Sequence, residues 1–118
     1  MQPSRLYLCQ WEDVAEGSCR GFRLQAEASS LNLLAVKKQG VLYVYENLCP
    51  HAWIPLEWVE HQFLNADNSL IQCANHGALF TIEQGRCIAG PCAGQALTAI
   101  ATERQQQAVY ALLPANSV

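Results

Sequence analysis

Two short segments concentrate the reactive side chains of this chain: Cys49-Pro50-His51 and Cys73-Ala74-Asn75-His76. Each pairs a thiol with an imidazole, and 21 residues, Ala52 to Gln72, separate them. Thiolate and imidazole together suit iron–sulfur or zinc chemistry. Residues two apart in an extended segment project to one side, so Cys49 and His51 can face one metal. Pro50 stiffens the backbone between them by fixing its own φ. Gly77, directly after His76, lets the main chain and its N–H groups come close to a bound ion or sulfide. Cys49, His51, Cys73 and His76 are therefore the candidate ligands. A structural Cys2His2 zinc site would use the same atoms. Its cysteines usually come as one closely spaced pair and its histidines as another, a pattern that two mixed pairs fit poorly.

The elements that must position these pairs read as short strands. Arg5 to Leu8 is a strand candidate, and Glu12 to Gly17 reads as a turn or one helical turn ending at glycine. Gly21 to Gln25 alternates apolar and polar residues, as a half-buried strand does. Leu31 to Lys37 and Val41 to Glu46 flank Lys38-Gln39-Gly40 and predict a hairpin, with Lys37-Lys38 as its solvated turn. Its second strand runs into Asn47-Leu48-Cys49, which puts the first pair on a loop at a sheet edge. Leu70 to Gln72 leads into the second pair and Ala78 to Ile82 leads out. Glu83-Gln84-Gly85 turns into Arg86-Cys87-Ile88, and Gly90-Pro91 breaks the chain again. Gln95 to Thr102 and Gln107 to Leu113 are the last strands, around a polar turn at Glu103-Arg104-Gln105. Trp53 to Asn68 is the hardest stretch to read; Leu56, Trp58, Phe63 and Leu64 would anchor it, with a turn at Asn65 to Asn68. Short strands with regular turn signals predict an all-β sandwich or barrel.

At 118 residues the chain has the length of one domain, residues 1–118. Seven Lys and Arg stand against ten Asp and Glu, and the net charge of −3 argues against nucleic acid or an anionic membrane as partner. No run approaches the roughly 18 apolar residues that span a bilayer, and the first residues lack a signal-peptide pattern. The expected location is the cytoplasm, where thiols stay reduced and six cysteines need another explanation than disulfides.

The two pairs, C-x-H and C-x-x-H-G, each after a strand, resemble the Rieske [2Fe–2S] proteins, in which two histidines replace two cysteines on one iron. The likeness continues through Cys73 to Phe80, Glu83-Gln84-Gly85 and Gly90-Pro91, in the family's order of second cluster loop, turn and proline loop. It implies an antiparallel β-sandwich with two cluster-binding loops at one end. It also implies a [2Fe–2S] cluster with Cys49 and Cys73 on one iron and His51 and His76 on the other. Two ferric ions, two sulfides, two thiolates and neutral imidazoles sum to zero charge, so an electron enters more easily than in an all-cysteine cluster. High-potential members add a disulfide between the cluster loops, a serine two residues after the second histidine and a tyrosine two further on. Ile54, Asn75, Ala78 and Phe80 occupy the corresponding positions here, which implies a potential near the lower limit of the Rieske range, about −150 mV. The stretch between the pairs is a few residues longer than in oxygenase-linked ferredoxins, with Trp53 and Ile54-Pro55 where those have a smaller, glycine-containing stretch.

The resemblance implies a soluble one-electron carrier between a reductase and an acceptor enzyme, both of them protein partners. A small redox subunit of an enzyme complex, and an iron–sulfur sensor or zinc-stabilised interaction module, are the alternatives. No nucleophile–base pair, phosphate-binding loop or facial triad is visible, so no catalytic residue and no small-molecule substrate are assigned. An oxygenase α-subunit would continue into a catalytic domain, whereas this sequence stops at Val118. Cys87 and Cys92, flanking Gly90-Pro91, read as two small buried side chains or as a redox-active thiol pair. Cys9 and Cys19 read as packing or surface residues, His61 as solvated, and Trp11, Trp53 and Trp58 as core or loop anchors.

Overall fold

The computed structural model describes residues 4–26, 29–50, 56, 61–74 and 77–113. They form nine antiparallel strands: β1 (Ser4–Gln10), β2 (Cys19–Ala26), β3 (Ser29–Lys38), β4 (Val41–Glu46), β5 (Leu70–Gln72), β6 (Leu79–Thr81), β7 (Cys87–Ala89), β8 (Ala101–Gln105) and β9 (Ala108–Leu113). The only helical piece among the described residues is a 3₁₀ turn at Trp11–Asp13. The strands make three sheets of three, in the orders β1-β9-β8, β2-β3-β4 and β5-β6-β7. Among the described residues no helix is long and apolar enough to cross a membrane.

The expected all-β architecture is found, with three sheets where two layers would have sufficed. The first two are joined through the segment before β8. Thr98 accepts the N–H of Glu46 and Ile100 donates to the carbonyl of Val44, so this segment runs along the outer edge of β4. It therefore enters β8 only at Ala101, later than the apolar pattern from Gln95 predicts. The polar turn expected at Glu103 to Gln105 falls instead at Gln106-Gln107, with Gln106 at φ +57°. Glu103 and Arg104 pair with Tyr110 and Val109 inside the ladder. Their polarity marks a solvent-facing strand and not a break in one.

The hairpin between β3 and β4 closes on Gln39 and Gly40, both left-handed at φ +53° and +76°, the conformation that matches strand twist in a two-residue turn. The Glu16 carboxylate accepts both of their N–H groups. Strand β3 is the middle of its sheet and is buried on both faces. Leu34 and Val36 enter one core with Phe63, Ile71, Phe80 and Ile82. Leu33 and Ala35 enter a second core with Val14, Val109 and Ala111.

The position of β3 also overturns the solvated reading of Lys37. Its side chain is buried, donates to the carbonyl of Trp11 and lies 4.1 Å from the Trp11 ring centroid. The alkyl stem covers apolar surface while the ammonium meets a carbonyl and a π face. The Arg104 guanidinium is 3.9 Å from the same ring, which makes Trp11 the anchor expected of it. Trp53 and Trp58 lie outside the described residues.

In the first core, the Tyr45 hydroxyl donates to the carbonyl of Ile82 at 2.6 Å, and burial pushes its pKa up to about 12. Tyr45→Phe should strand that carbonyl and lower the unfolding free energy by about 1–3 kcal/mol in urea titration; an unchanged midpoint would contradict the assignment.

Candidate metal centre

Cys49 follows β4 by three residues and Cys73 follows β5 directly, and both are completely buried in the same core. His51 and His76 lie outside the described residues, as do Ile54, Pro55 and Asn75. Among the described residues no three His, Cys, Asp or Glu side chains gather as a metal site. The structure thus places the two sulfur donors of the four candidate ligands.

The loop carrying Cys49 is fastened by its own polar residue. Asn47 is 5% exposed; its N–H donates to the carbonyl of Asn32 and its Oδ1 accepts the N–H of Leu56 at 2.9 Å. Leu56 in turn accepts the N–H of Ala74 at 2.8 Å. One buried residue therefore ties the Cys49 loop to the Cys73 loop through both of its backbone groups. The Cys73 loop closes on itself: Cys73 donates to Ala78 and Gly77 donates to Cys73, each at 2.9 Å. The Gly77 N–H, expected to approach a bound ion or sulfide, is thus used to close the loop.

A third loop lies against the second. A Cβ at Gly90 would sit 2.7 Å from the Ala78 Cα, and Gly90 has φ +101°, so only glycine allows this approach. The loop is held from within: Ala93 donates to Gly90, Gln95 to Cys92 and Cys87 to Gln95. It carries Cys87 and Cys92, both buried and both free, with their sulfurs 2.9 Å apart. Burial first, then the contacts with Cys87 and Cys49, push the Cys92 thiol up to about 12. Burial likewise raises Cys9, to about 11, and Cys19. Cys9 sits in the second core, and Cys19 donates to the carbonyl of His61 and accepts the N–H of Phe63.

His61 is half-buried, in contrast to the solvated reading. Its Nδ1 accepts the N–H of Gly21 at 3.0 Å. Strand β2 is an edge strand, and His61 satisfies an outward-facing donor that the sheet leaves open. Sequence reading also missed Asn47. Its signal was available: a residue type that bonds locally to backbone, set between a strand and a candidate ligand.

The donor chemistry fits a [2Fe–2S] cluster. Two soft thiols sit in a dry, apolar core whose other described members carry no charge, surroundings suited to a cluster of zero net charge. Asn47→Ala should orphan the Leu56 N–H, cost about 1–3 kcal/mol of stability and speed iron loss to a chelator. Asn47→Asp, which keeps the acceptor, should lose iron more slowly than the alanine variant in the same absorbance assay.

The comparisons agree with this geometry. A chain of the complex of reduced oxygenase and oxidised ferredoxin in carbazole 1,9a-dioxygenase superposes with a TM-score of 0.70 at 22% identity, over 92% of both chains. The ferredoxin of carbazole 1,9a-dioxygenase from Nocardioides aromaticivorans IC177 gives 0.68 at 19% identity, over 97% of this chain and 99% of that one. The terminal oxygenase of carbazole 1,9a-dioxygenase from Novosphingobium sp. KA1 gives 0.72 at 17% identity, over 96% of this chain but only 30% of the oxygenase chain. At these identities the likeness is one of fold. No curated protein sequence matches. The Rieske [2Fe-2S] domain matches residues 4–110, nearly the whole chain, and the protein belongs to the Rieske [2Fe–2S] domain family.

Proposed function

We propose that residues 1–118 form one Rieske domain that works as a low-potential, one-electron carrier in the cytoplasm. In this reading Cys49 and Cys73 hold one iron and His51 and His76 the other. The observation that carries it is the complete burial of both thiols on two loops braced through Leu56, within a family defined by its [2Fe–2S] cluster. When bound, the cluster supplies reversible uptake of a single electron. The chain supplies the rest: two buried sulfurs in an apolar core and loops braced to each other through Leu56. Six free cysteines support a reducing compartment.

The partners in this reading are a reductase that donates and an oxygenase that accepts. The support is the fold shared with the ferredoxin of an oxygenase system over almost all of both chains. A carrier of this kind exchanges partners and should elute alone in gel filtration with a candidate reductase; co-elution as a tight complex would instead mark a fixed subunit.

The potential follows from what flanks the second loop. Ala78 and Phe80 are both fully buried and offer no hydroxyl where high-potential members have two. Hydrogen bonds to cluster sulfur favour the more negative, reduced state, so the expected potential is about −150 mV. A value above about +100 mV would refute this account.

Cys49→Ser and Cys73→Ser should each abolish cluster retention, measured as iron and acid-labile sulfide per chain, because a soft donor is replaced by a hard one. Retention of a full cluster in either variant would remove that residue from the ligand set. Ala78→Ser should raise the potential by about 40 mV if its hydroxyl contributes about 1 kcal/mol to the reduced state. An unchanged potential would show that the missing hydroxyl does not set it.

A further inference from the structure

The third loop holds two thiols that the candidate ligand set does not use. Cys87 opens it on β7 and Cys92 follows the turn at Gly90-Pro91, with four residues between them. The Cys92 thiol donates to the Cys87 sulfur at 2.9 Å, and the Cys87 thiol donates to the carbonyl of Ala89 at 3.2 Å. A covalent S–S bond is about 2.05 Å long, so closing one here moves the sulfurs together by about 0.9 Å. The backbone already draws the two ends of the loop together. Cys87 donates to the carbonyl of Gln95, Gly94 to that of Cys87 and Gln95 to that of Cys92. Gly90, between the thiols, lies against Ala78 of the second candidate cluster loop.

Where the pair sits decides how it can react. Residues 90–96 are exposed apart from Cys92, so a small local opening of this stretch bares its thiol. Cys87 stays in register with Phe80 in the ladder of β6 and β7. In the closed loop burial keeps Cys92 protonated, and the nucleophile in such chemistry is the thiolate, so the pair is inert until the loop opens. We propose that Cys87 and Cys92 are a modification site, a dithiol that closes reversibly to a disulfide and staples the third loop over the second candidate cluster loop. The oxidant is a low-molecular-weight disulfide such as that of glutathione. The Cys92 thiolate attacks one of its sulfurs, forming a mixed disulfide and releasing one thiolate, which takes up the proton that Cys92 gave away. The Cys87 sulfur then attacks that of Cys92, and its proton goes to the second leaving thiolate. The chain gains one S–S bond, two small thiols are released, and two electrons pass to the oxidant, none of them from the cluster. In a compartment that keeps thiols reduced, such disulfides are transient and redox-sensing.

Thiol labelling of the cluster-loaded protein tests this. Samples are equilibrated anaerobically in glutathione buffers from fully reduced to fully oxidised, quenched in acid, alkylated in denaturant and cut with trypsin. Cleavage after Arg86 and Arg104 puts both thiols in one peptide with no other cysteine. That peptide should pass from two alkyl labels to none, two hydrogens lighter than the dithiol, and dithiothreitol should restore both labels. Two labels throughout, or glutathione held on Cys92 without closure, would overturn the proposal in favour of simple packing. Equal closure in the peptide that holds Cys9 and Cys19 would overturn it too, as the mark of general unfolding. The staple has its own readout, which rests on the cluster reading. After glutathione is removed, iron should leave for a chelator about threefold more slowly from the disulfide form than from the dithiol form. Cys92→Ser should show one rate after either buffer, and equal rates for the two wild-type forms would overturn the stapling role. The labels need no bound iron, so a protein that closes the bond but holds no cluster would sink the ligand assignment and not the dithiol.

Discussion

The backbone of Leu56 is the constraint on which the metal centre depends. Its N–H reaches the Asn47 side chain beside the first candidate loop, and its carbonyl reaches the Ala74 N–H on the second. Leu56 has no exposed surface, and each buried backbone group left without a partner costs about as much as a lost hydrogen bond. Neither loop can therefore shift without stranding a backbone group of Leu56. This matters for a centre whose candidate ligands come from two distant stretches of chain, because their separation is set by the loops and not by one helix or strand.

Behind the loops, β3 divides the interior in two. One face contributes Leu34 and Val36 to the core that contains Cys49, Cys73, Cys87 and Cys92. The other contributes Leu33 and Ala35 to a core closed by β1 and β9. Residues of opposite faces alternate along the strand, so a run of four buried apolar residues is what a wall between two cores requires. The Lys37 ammonium, folded onto Trp11 next to Arg104, closes the second core at its edge with charges that are satisfied on the spot. The first core contains thiols but no charged side chain among its described members.

Much of this was legible in the sequence where periodicity and turn chemistry are local. Val41 to Glu46 and Leu70 to Gln72 are strands with the bounds that their apolar patterns give, and Asn65 to Asn68 is a turn, with Asn68 donating to the carbonyl of Asn65. The family and its cofactor were legible because metal ligands are chemically scarce and their order is rigid. What escaped were features decided by distant neighbours. Lys37 looks solvated until β3 is seen to be a central strand. Glu103 and Arg104 look like a turn until their strand is seen to face solvent. His61 has no ligand neighbour in sequence, and its partner is an edge donor forty residues away. The close approach of Gly90 to Ala78 depends on a third loop folding back, which no spacing rule encodes.

The depth of the two candidate sulfur donors also bears on how the protein matures. Cys49 and Cys73 have no exposed surface in the closed fold, so an assembly factor delivering iron and sulfide cannot touch them there. Delivery must come before the loops lock together, or wait for them to part. Maturation and folding are then one process, and the Leu56 tether that keeps the finished centre in place also sets how briefly the door stands open.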